Sequence, residues 1–160
     1  MDATHEIGLI ADTHGLLRPD VHTALAGVEL NLHAGDVGGE EILAELELIA
    51  PVLAVYGNTD PSEHAGLVDA LDVVIAGVRI HVSHGHEVRR PSPEVLAAAY
   101  DADVIVYGHT HRQRVDRVGQ KLVVNPGAAG ARRFDIEPSV ARLRIAEGRS
   151  DVTILPLEGR

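Results

Sequence analysis

The sequence contains no cysteine. Disulfide bonds and thiolate metal sites are therefore excluded, and any metal must bind through oxygen atoms and imidazole nitrogens. No apolar run approaches the length of a membrane-spanning helix, and the N-terminus lacks the basic and apolar segments of a signal peptide. In a chain of 160 residues, these absences predict one cytoplasmic domain over residues 1–160, with one continuous core and no membrane contact.

Aromatic residues and lysine are also scarce. With only three tyrosines and one phenylalanine, the core must consist of aliphatic side chains, and stacking on nucleic-acid bases is disfavoured. Lys121 is the only lysine, and the formal net charge is −10. This charge makes nonspecific binding to nucleic acid or anionic membranes unlikely. The acidic composition is explained equally well by a high-salt cytoplasm and by a GC-rich genome.

Short apolar runs alternate with helical patterns in the first half of the chain. The predicted strands are residues 7–11, 30–34 and 52–56, and the predicted helices are residues 19–27 and 40–49. The second half is richer in strands joined by glycine-containing turns. Its predicted elements are a hairpin of residues 73–76 and 79–83, a helix at 93–100, and strands at 104–107, 113–118, 121–125, 140–146 and 151–155. This order predicts two packed mixed sheets with helices outside.

Six short polar clusters follow apolar runs or lie beside glycines. They are Asp12-Thr13-His14-Gly15, Gly35-Asp36, Gly57-Asn58, His84-Gly85-His86, Gly108-His109-Thr110-His111 and Asn125-Pro126-Gly127. Because ligands of α/β sheets bind beyond the carboxyl ends of the strands, we expect these clusters to meet at one edge. Any single aspartate there would more often be a helix cap. Together, two carboxylates, one amide and four imidazoles predict a site for two divalent cations, which typically hydrolyses phosphate esters.

The order of these motifs resembles that of the calcineurin-like metallophosphoesterases and is most similar to their small single-domain phosphodiesterase branch. The similarity extends from Ile7 to about Gly127. It implies an α/β fold, namely a four-layer αββα sandwich of two mixed β-sheets flanked by helices. It also implies a metal-dependent phosphodiesterase, in which a hydroxide that bridges two metal ions attacks the phosphorus of a small phosphodiester substrate.

The resemblance implies a division of the ligands in which Asp36 bridges the two metals. One metal would take Asp12, His14, Asp36 and His111, and the other would take Asp36, Asn58, His84 and His109. Asn58 would also contact the substrate. Mn²⁺ is the expected metal, while Ni²⁺, Co²⁺, Fe²⁺ and Zn²⁺ remain open because affinity order does not determine which metal is loaded.

One position departs from the wider family. Many members have a histidine after Gly-Asn, thought to protonate the leaving group, but this chain has Thr59. Threonine cannot act as a general acid near neutral pH. His86 is therefore the candidate for the acid and for a phosphate-binding group. The departure disfavours monoesters and substrates with poor leaving groups.

Two other functions fit parts of the pattern. One is a non-catalytic protein-interaction scaffold on the same fold, as in the retromer subunit related to this branch, but a scaffold does not need a complete ligand set. The other is a mononuclear hydrolase, which does not account for the second aspartate and Asn58. A homodimer is compatible with the sequence, since dimers are the commonest assembly.

Overall fold

The computed structural model describes residues 3–61, 67–132 and 135–157. It contains two mixed β-sheets, which confirms the predicted fold class. The strands are β1 (His5–Ile10), β2 (Leu30–His33), β3 (Val52–Val55), β4 (Leu67–Val68), β5 (Ala70–Ile75), β6 (Val78–Ser83), β7 (Val104–Val106), β8 (Arg114–Val118), β9 (Lys121–Asn125), β10 (Ser139–Ala146) and β11 (Arg149–Pro156). The helices are α1 (Asp20–Ala24), α2 (Glu40–Glu47) and α3 (Pro93–Ala99).

The six-stranded sheet has the order β11-β10-β1-β2-β3-β4, and the five-stranded sheet has the order β5-β6-β7-β9-β8. Strands β1, β2 and β3 run parallel in the first sheet. Strands β6, β7 and β9 run parallel in the second. Each sheet therefore contributes three adjacent carboxyl ends to one edge.

The main core lies between the two sheets. The alternation of β1 turns Ile7 and Leu9 towards this core, where they meet Val82 of β6 and Val106 of β7. Ile10 points the other way and packs with buried residues of α1 and α2. Leu96 of α3 covers the outer face of the five-stranded sheet. The layers are thus helices, sheet, sheet and helix, as expected.

The predicted elements begin and end within three residues of the observed bounds, and two differences have an identifiable physical reason. The helix predicted over residues 19–27 ends at Ala24, because the amides of Ala26 and Val28 bond three residues back rather than four. The two-residue strand β4 was not predicted, since two residues give no alternation pattern to detect. Within the described residues, no helix is long and apolar enough to cross a membrane.

Candidate metal centre

The six polar clusters lie directly after β1, β2, β3, β6, β7 and β9, at the shared edge of the two sheets. Hydrogen bonds between side chains and backbone groups connect their loops across the sheets. The amide of His109 donates to Asp12 Oδ2 at 3.0 Å, and the ring of His84 contacts the Ala34 carbonyl through Nδ1 at 2.8 Å. The clusters are therefore brought together as the strand order predicts.

The backbone at this edge is held in an unfavourable conformation. Asp12, His14, Asp36, His109 and His111 all have positive φ angles, between 46° and 71°. Non-glycine residues adopt this left-handed region at a cost of about 1–3 kcal/mol each, and such residues concentrate at functional sites. All five are predicted ligands, so the strain coincides with the candidate site.

One glycine permits a close approach between two ligand loops. A Cβ atom at Gly57 would lie 2.1 Å from Asp36 Oδ1 and 2.4 Å from the Asp36 amide nitrogen. Only glycine fits at this distance. Glycine is thus required at position 57 for the Asn58 loop to pack against the Asp36 loop.

The first group of potential ligand atoms surrounds Asp12 Oδ1. This oxygen lies 3.6 Å from His111 Nε2 and 3.9 Å from His14 Nε2. The two imidazole nitrogens lie 3.3 Å apart, and His14 Nε2 lies 3.5 Å from Asp36 Oδ2. The donor atoms of Asp12, His14 and His111 therefore form one group, and Asp36 joins it through its contact with His14.

The second group surrounds His84, whose side chain is fully buried. His84 Nε2 lies 3.2 Å from Asp36 Oδ2, 3.0 Å from Asn58 Oδ1 and 3.8 Å from Asp12 Oδ1. Asn58 Oδ1 is also 3.1 Å from His109 Nδ1. The four residues assigned to the second metal are therefore linked by short contacts.

Asp36 Oδ2 lies between His14 and His84, as a bridging ligand would. Its other oxygen, Oδ1, accepts the Thr59 amide at 2.9 Å. However, Asp12 belongs to both three-residue groups whose donor atoms lie within 4.8 Å of one another, whereas Asp36 belongs to one. The bridging role of Asp36 thus stays a prediction.

The protonation states suit cation binding. Burial would raise the pKa of Asp36, but hydrogen bonds from His84 and Thr59 hold it well below its ordinary value. Burial would lower the pKa of His84, but the carboxylates of Asp36 and Asp12 raise it. Burial and the neighbouring His84 lower the pKa of His109. Asp36 is thus ionised, and the two carboxylates favour a positive charge at His84, where the second cation is expected.

The donor set fits two divalent cations. Imidazole and carboxylate ligands lie about 2.0–2.2 Å from such an ion, which places donor atoms of one ion about 3–3.6 Å apart. The contacts within the two assigned ligand sets span 3.0–3.9 Å, close to this spacing. Two carboxylates against two divalent ions leave a net positive charge that suits a nucleophile and a phosphodiester anion.

His86 lies at the rim of this centre. Its side chain is exposed, and its ring lies 5.3 Å from the His84 ring and 6.4 Å from the His109 ring, measured between centroids. It thus borders the second ligand group, and its predicted roles as acid and phosphate-binding group stay predictions.

Asp60 was not singled out from the sequence, yet it connects two ligand loops. Its carboxylate accepts the amides of Val37 at 2.9 Å, Gly38 at 3.1 Å and Gly57 at 3.0 Å. Its position two residues after Asn58 could have indicated this role, because aspartate side chains in turns often hydrogen-bond to nearby backbone groups.

His33 connects the Asp12 and Asp36 loops through buried hydrogen bonds. Gly35 donates its amide to His33 Nδ1 at 3.1 Å, which places the proton of neutral His33 on Nε2. His33 Nε2 lies 3.0 Å from Thr13 Oγ1, and the Thr13 hydroxyl donates to the Val37 carbonyl at 2.7 Å. Burial lowers the pKa of His33 to about 3. His33 is therefore a buried, hydrogen-bonded group that supports the ligand loops.

Asn125 supports the loop of His109 and His111. Its side-chain amide donates to Thr110 Oγ1 at 3.0 Å and to the Gly108 carbonyl at 3.3 Å, and its Oδ1 accepts the Gly127 amide. The Asn-Pro-Gly cluster thus holds a ligand loop in place and supplies none of the donor atoms described above.

Comparisons with known proteins agree with this arrangement. The sequence model of the calcineurin-like phosphoesterase superfamily domain matches residues 6–148. A probable metallophosphoesterase of Methanothermobacter thermautotrophicus is 35% identical over 159 residues, covering 93% of this chain and 91% of that protein. A phosphodiesterase of Methanocaldococcus jannaschii is 31% identical over 140 residues, covering 76% and 82%.

Among solved structures, Vps29 of Entamoeba histolytica complexed with Zn²⁺ superposes with a TM-score of 0.75 at 25% identity, covering 94% of this chain and 98% of that one. The family model spans most of the sequence and includes all the candidate ligands. The chain therefore belongs to the calcineurin-like phosphoesterase superfamily, in its small phosphodiesterase branch.

Proposed function

We propose that this protein is a phosphodiesterase that hydrolyses small phosphodiesters with two divalent cations. The observation that carries the proposal is the convergence of Asp12, Asp36 and His84 with His14 and His111, with donor atoms 3.2–3.9 Å apart at the edge of both sheets. The relatives named as a phosphodiesterase and a probable metallophosphoesterase support the same reaction class.

In this proposal, Asp36 is shared between the two cations. The first cation is bound by Asp12, His14, Asp36 and His111, and the second by Asp36, Asn58, His84 and His109. When bound, the cations supply the activated water and the positive charge that stabilises the phosphoryl oxygens. Mn²⁺ is the proposed cation, and the Zn²⁺ complex of the similar Vps29 structure makes Zn²⁺ the first one to compare with it.

The protein orients the metal ligands and supplies a proton to the leaving alcohol. The Thr59 amide fixes Asp36 Oδ1, so that Oδ2 faces His14 and His84. Asn58 presents its amide to the substrate phosphate as well as to the cation. His86, at the rim of the centre, donates a proton to the departing alkoxide.

Diesters are favoured over monoesters for two reasons. The side chain after Gly57-Asn58 is that of Thr59, which does not supply a proton near neutral pH. A diester also carries one negative charge, which suits the modest positive charge that two aspartates leave on two divalent ions. A monoester dianion would need further cationic partners.

The test compares hydrolysis of bis-p-nitrophenyl phosphate and p-nitrophenyl phosphate by the metal-free protein supplied with Mn²⁺, Zn²⁺, Ni²⁺, Co²⁺ or Fe²⁺. We expect metal-dependent turnover of the diester to exceed that of the monoester, and Asp36→Asn to lower it by roughly 100-fold or more, as for other groups that a catalytic metal requires. Metal analysis should give two ions per chain.

Other outcomes would overturn parts of the proposal. Faster monoester cleavage would contradict the diester preference, and a content of one ion per chain would contradict the dinuclear assignment. If none of the five cations supports turnover, the protein-interaction scaffold on the same fold becomes the better account. An Asp36→Asn variant as active as the parent would remove Asp36 from the site.

A further inference from the structure

His86 follows a turn whose geometry is set by the backbone. Within the described residues, no hydrogen bond of its ring is found, and the ring lies 5.3 Å from that of His84 and 6.4 Å from that of His109, measured between centroids. His84 itself is fixed, since its Nδ1 contacts the Ala34 carbonyl and its own carbonyl accepts the Gly108 amide at 2.9 Å. The direction of His86 therefore depends on Gly85, which has a φ of +104°.

Glu87 closes this turn with both carboxylate oxygens. Its Oε1 accepts the Gly85 amide at 2.8 Å, and its Oε2 accepts the Tyr100 hydroxyl at 2.6 Å. Burial would raise the pKa of Glu87, but these hydrogen bonds hold it below its ordinary value. Burial and the Glu87 carboxylate raise the pKa of Tyr100 to about 12. An ionised acceptor and a neutral donor thus meet in a charge-assisted bond.

Tyr100 is anchored independently of the metal centre. Its ring stacks on His81 with centroids 3.8 Å apart and an angle of 22° between the planes. His81 Nδ1 lies 2.9 Å from Asp72 Oδ1. The carbonyl of Tyr100, at the end of α3, accepts the ammonium of Lys121 at 2.8 Å. The Tyr100 hydroxyl is therefore a fixed point on the outer layer of the five-stranded sheet.

We propose that Glu87 and Tyr100 form a positioning pair that holds the Gly85 turn and thereby directs His86 towards the leaving group. This inference rests on the proposed phosphodiesterase function. Neither residue is a proposed ligand, and both act through the backbone of His86. Their loss should therefore matter for substrates whose leaving group needs a proton and much less for those whose leaving group does not.

The experiment is a double-mutant cycle with Tyr100→Phe, which keeps the stacked ring and removes the hydroxyl, and Glu87→Ala, each in the parent and in a His86→Ala background. Diphenyl phosphate is the substrate with the poorer leaving group and bis-p-nitrophenyl phosphate the one with the better. Glu87→Gln is the matched control, because its amide oxygen still accepts the Gly85 amide and its NH₂ group still meets the Tyr100 hydroxyl.

For diphenyl phosphate, we expect Tyr100→Phe and Glu87→Ala to lower kcat by about three- to tenfold with KM within about twofold, as for a small misplacement of a catalytic group. Glu87→Gln should stay within about twofold of the parent. In the His86→Ala background, the first two substitutions should have less than about a twofold effect. Equal factors in both backgrounds, or equal effects on both substrates, would overturn the positioning role.

Histidine ring signals in the NMR spectrum of the metal-free protein test the positioning without turnover. Tyr100→Phe should shift the His86 ring signals and leave those of His22, on α1, in place. Unchanged His86 signals would overturn the inference even in an active enzyme. If His86 shifts but the parent enzyme shows no turnover with any cation, the proposed function fails while the positioning role stands.

Discussion

His33 allows a quantitative prediction of how stability depends on pH. The residue is fully buried, and burial lowers its pKa to about 3. In the unfolded chain, its imidazole titrates near 6.5. As the pH falls below 6.5, the unfolded state binds a proton that the folded state does not, so the free energy of unfolding decreases. The stabilisation present above pH 6.5 is lost progressively towards the folded-state pKa near 3.

The magnitude follows from these two pKa values. Between pH 7 and pH 5, the proton bound by unfolded His33 should lower the free energy of unfolding by about 2 kcal/mol. The result depends little on the folded-state value, provided that this value stays well below 5. Urea denaturation at both pH values, in the presence of a chelator, measures the change in the parent and in His33→Gln.

The difference between the two pH values is the informative quantity, because any general loss of stability in His33→Gln cancels. We expect the decrease in the parent to exceed that in His33→Gln by about 2 kcal/mol. His22→Gln is the control for removing an imidazole that is partly exposed on α1. If the parent and His33→Gln show the same pH dependence, His33 is not held neutral in the folded protein and the assigned hydrogen-bond direction is wrong.

Two further predictions concern residues outside the ligand set. Asp60→Asn leaves three backbone amides with one oxygen acceptor. It should lower the free energy of unfolding in urea by about 2–3 kcal/mol and weaken the binding of cations measured by calorimetry. Glu47→Gln, which removes the same charge at the exposed end of α2, should change neither quantity. Lys121→Met removes an ammonium that donates hydrogen bonds to the carbonyls of Ala97 and Tyr100, so the free energy of unfolding should fall by about 1–2 kcal/mol. Lys121→Arg should restore part of this loss. An unchanged urea midpoint in Lys121→Met would contradict the capping role.

Most of the fold could be predicted from the sequence, because the buried strands are apolar runs and the candidate ligands come directly after them. Aliphatic runs such as residues 104–107 become buried strands, and polar residues placed directly after them must lie at a strand end. The positions of Asp12, Asp36 and His84 at one edge follow from this alone. By contrast, β4 has too few residues to show an alternation of apolar and polar side chains. The end of α1 depends on local backbone hydrogen bonds that the residue types do not predict.

The supporting contacts were much less accessible. Asp60 looks like an ordinary turn residue, and nothing in its sequence context shows that Val37 donates to it across 23 positions. The contact between Glu87 and Tyr100 likewise joins a turn to the end of a helix, and depends on how α3 lies on the sheet. The ligands can be predicted from their own chemistry, whereas the groups that orient them depend on the tertiary packing of the chain.

These supporting contacts explain how the strained ligand loops persist. Five predicted ligands have positive φ angles, and each alone would favour relaxation of its loop. Asp60 joins the Asp36 loop to the Asn58 loop, while Thr13 and His33 join the Asp12 loop to the Asp36 loop. Because each strained loop is bonded to a neighbouring one, relaxation of one requires breaking buried hydrogen bonds in another. The donor atoms are therefore held close together by the protein itself, around an Asp36 carboxylate whose lowered pKa keeps it negatively charged.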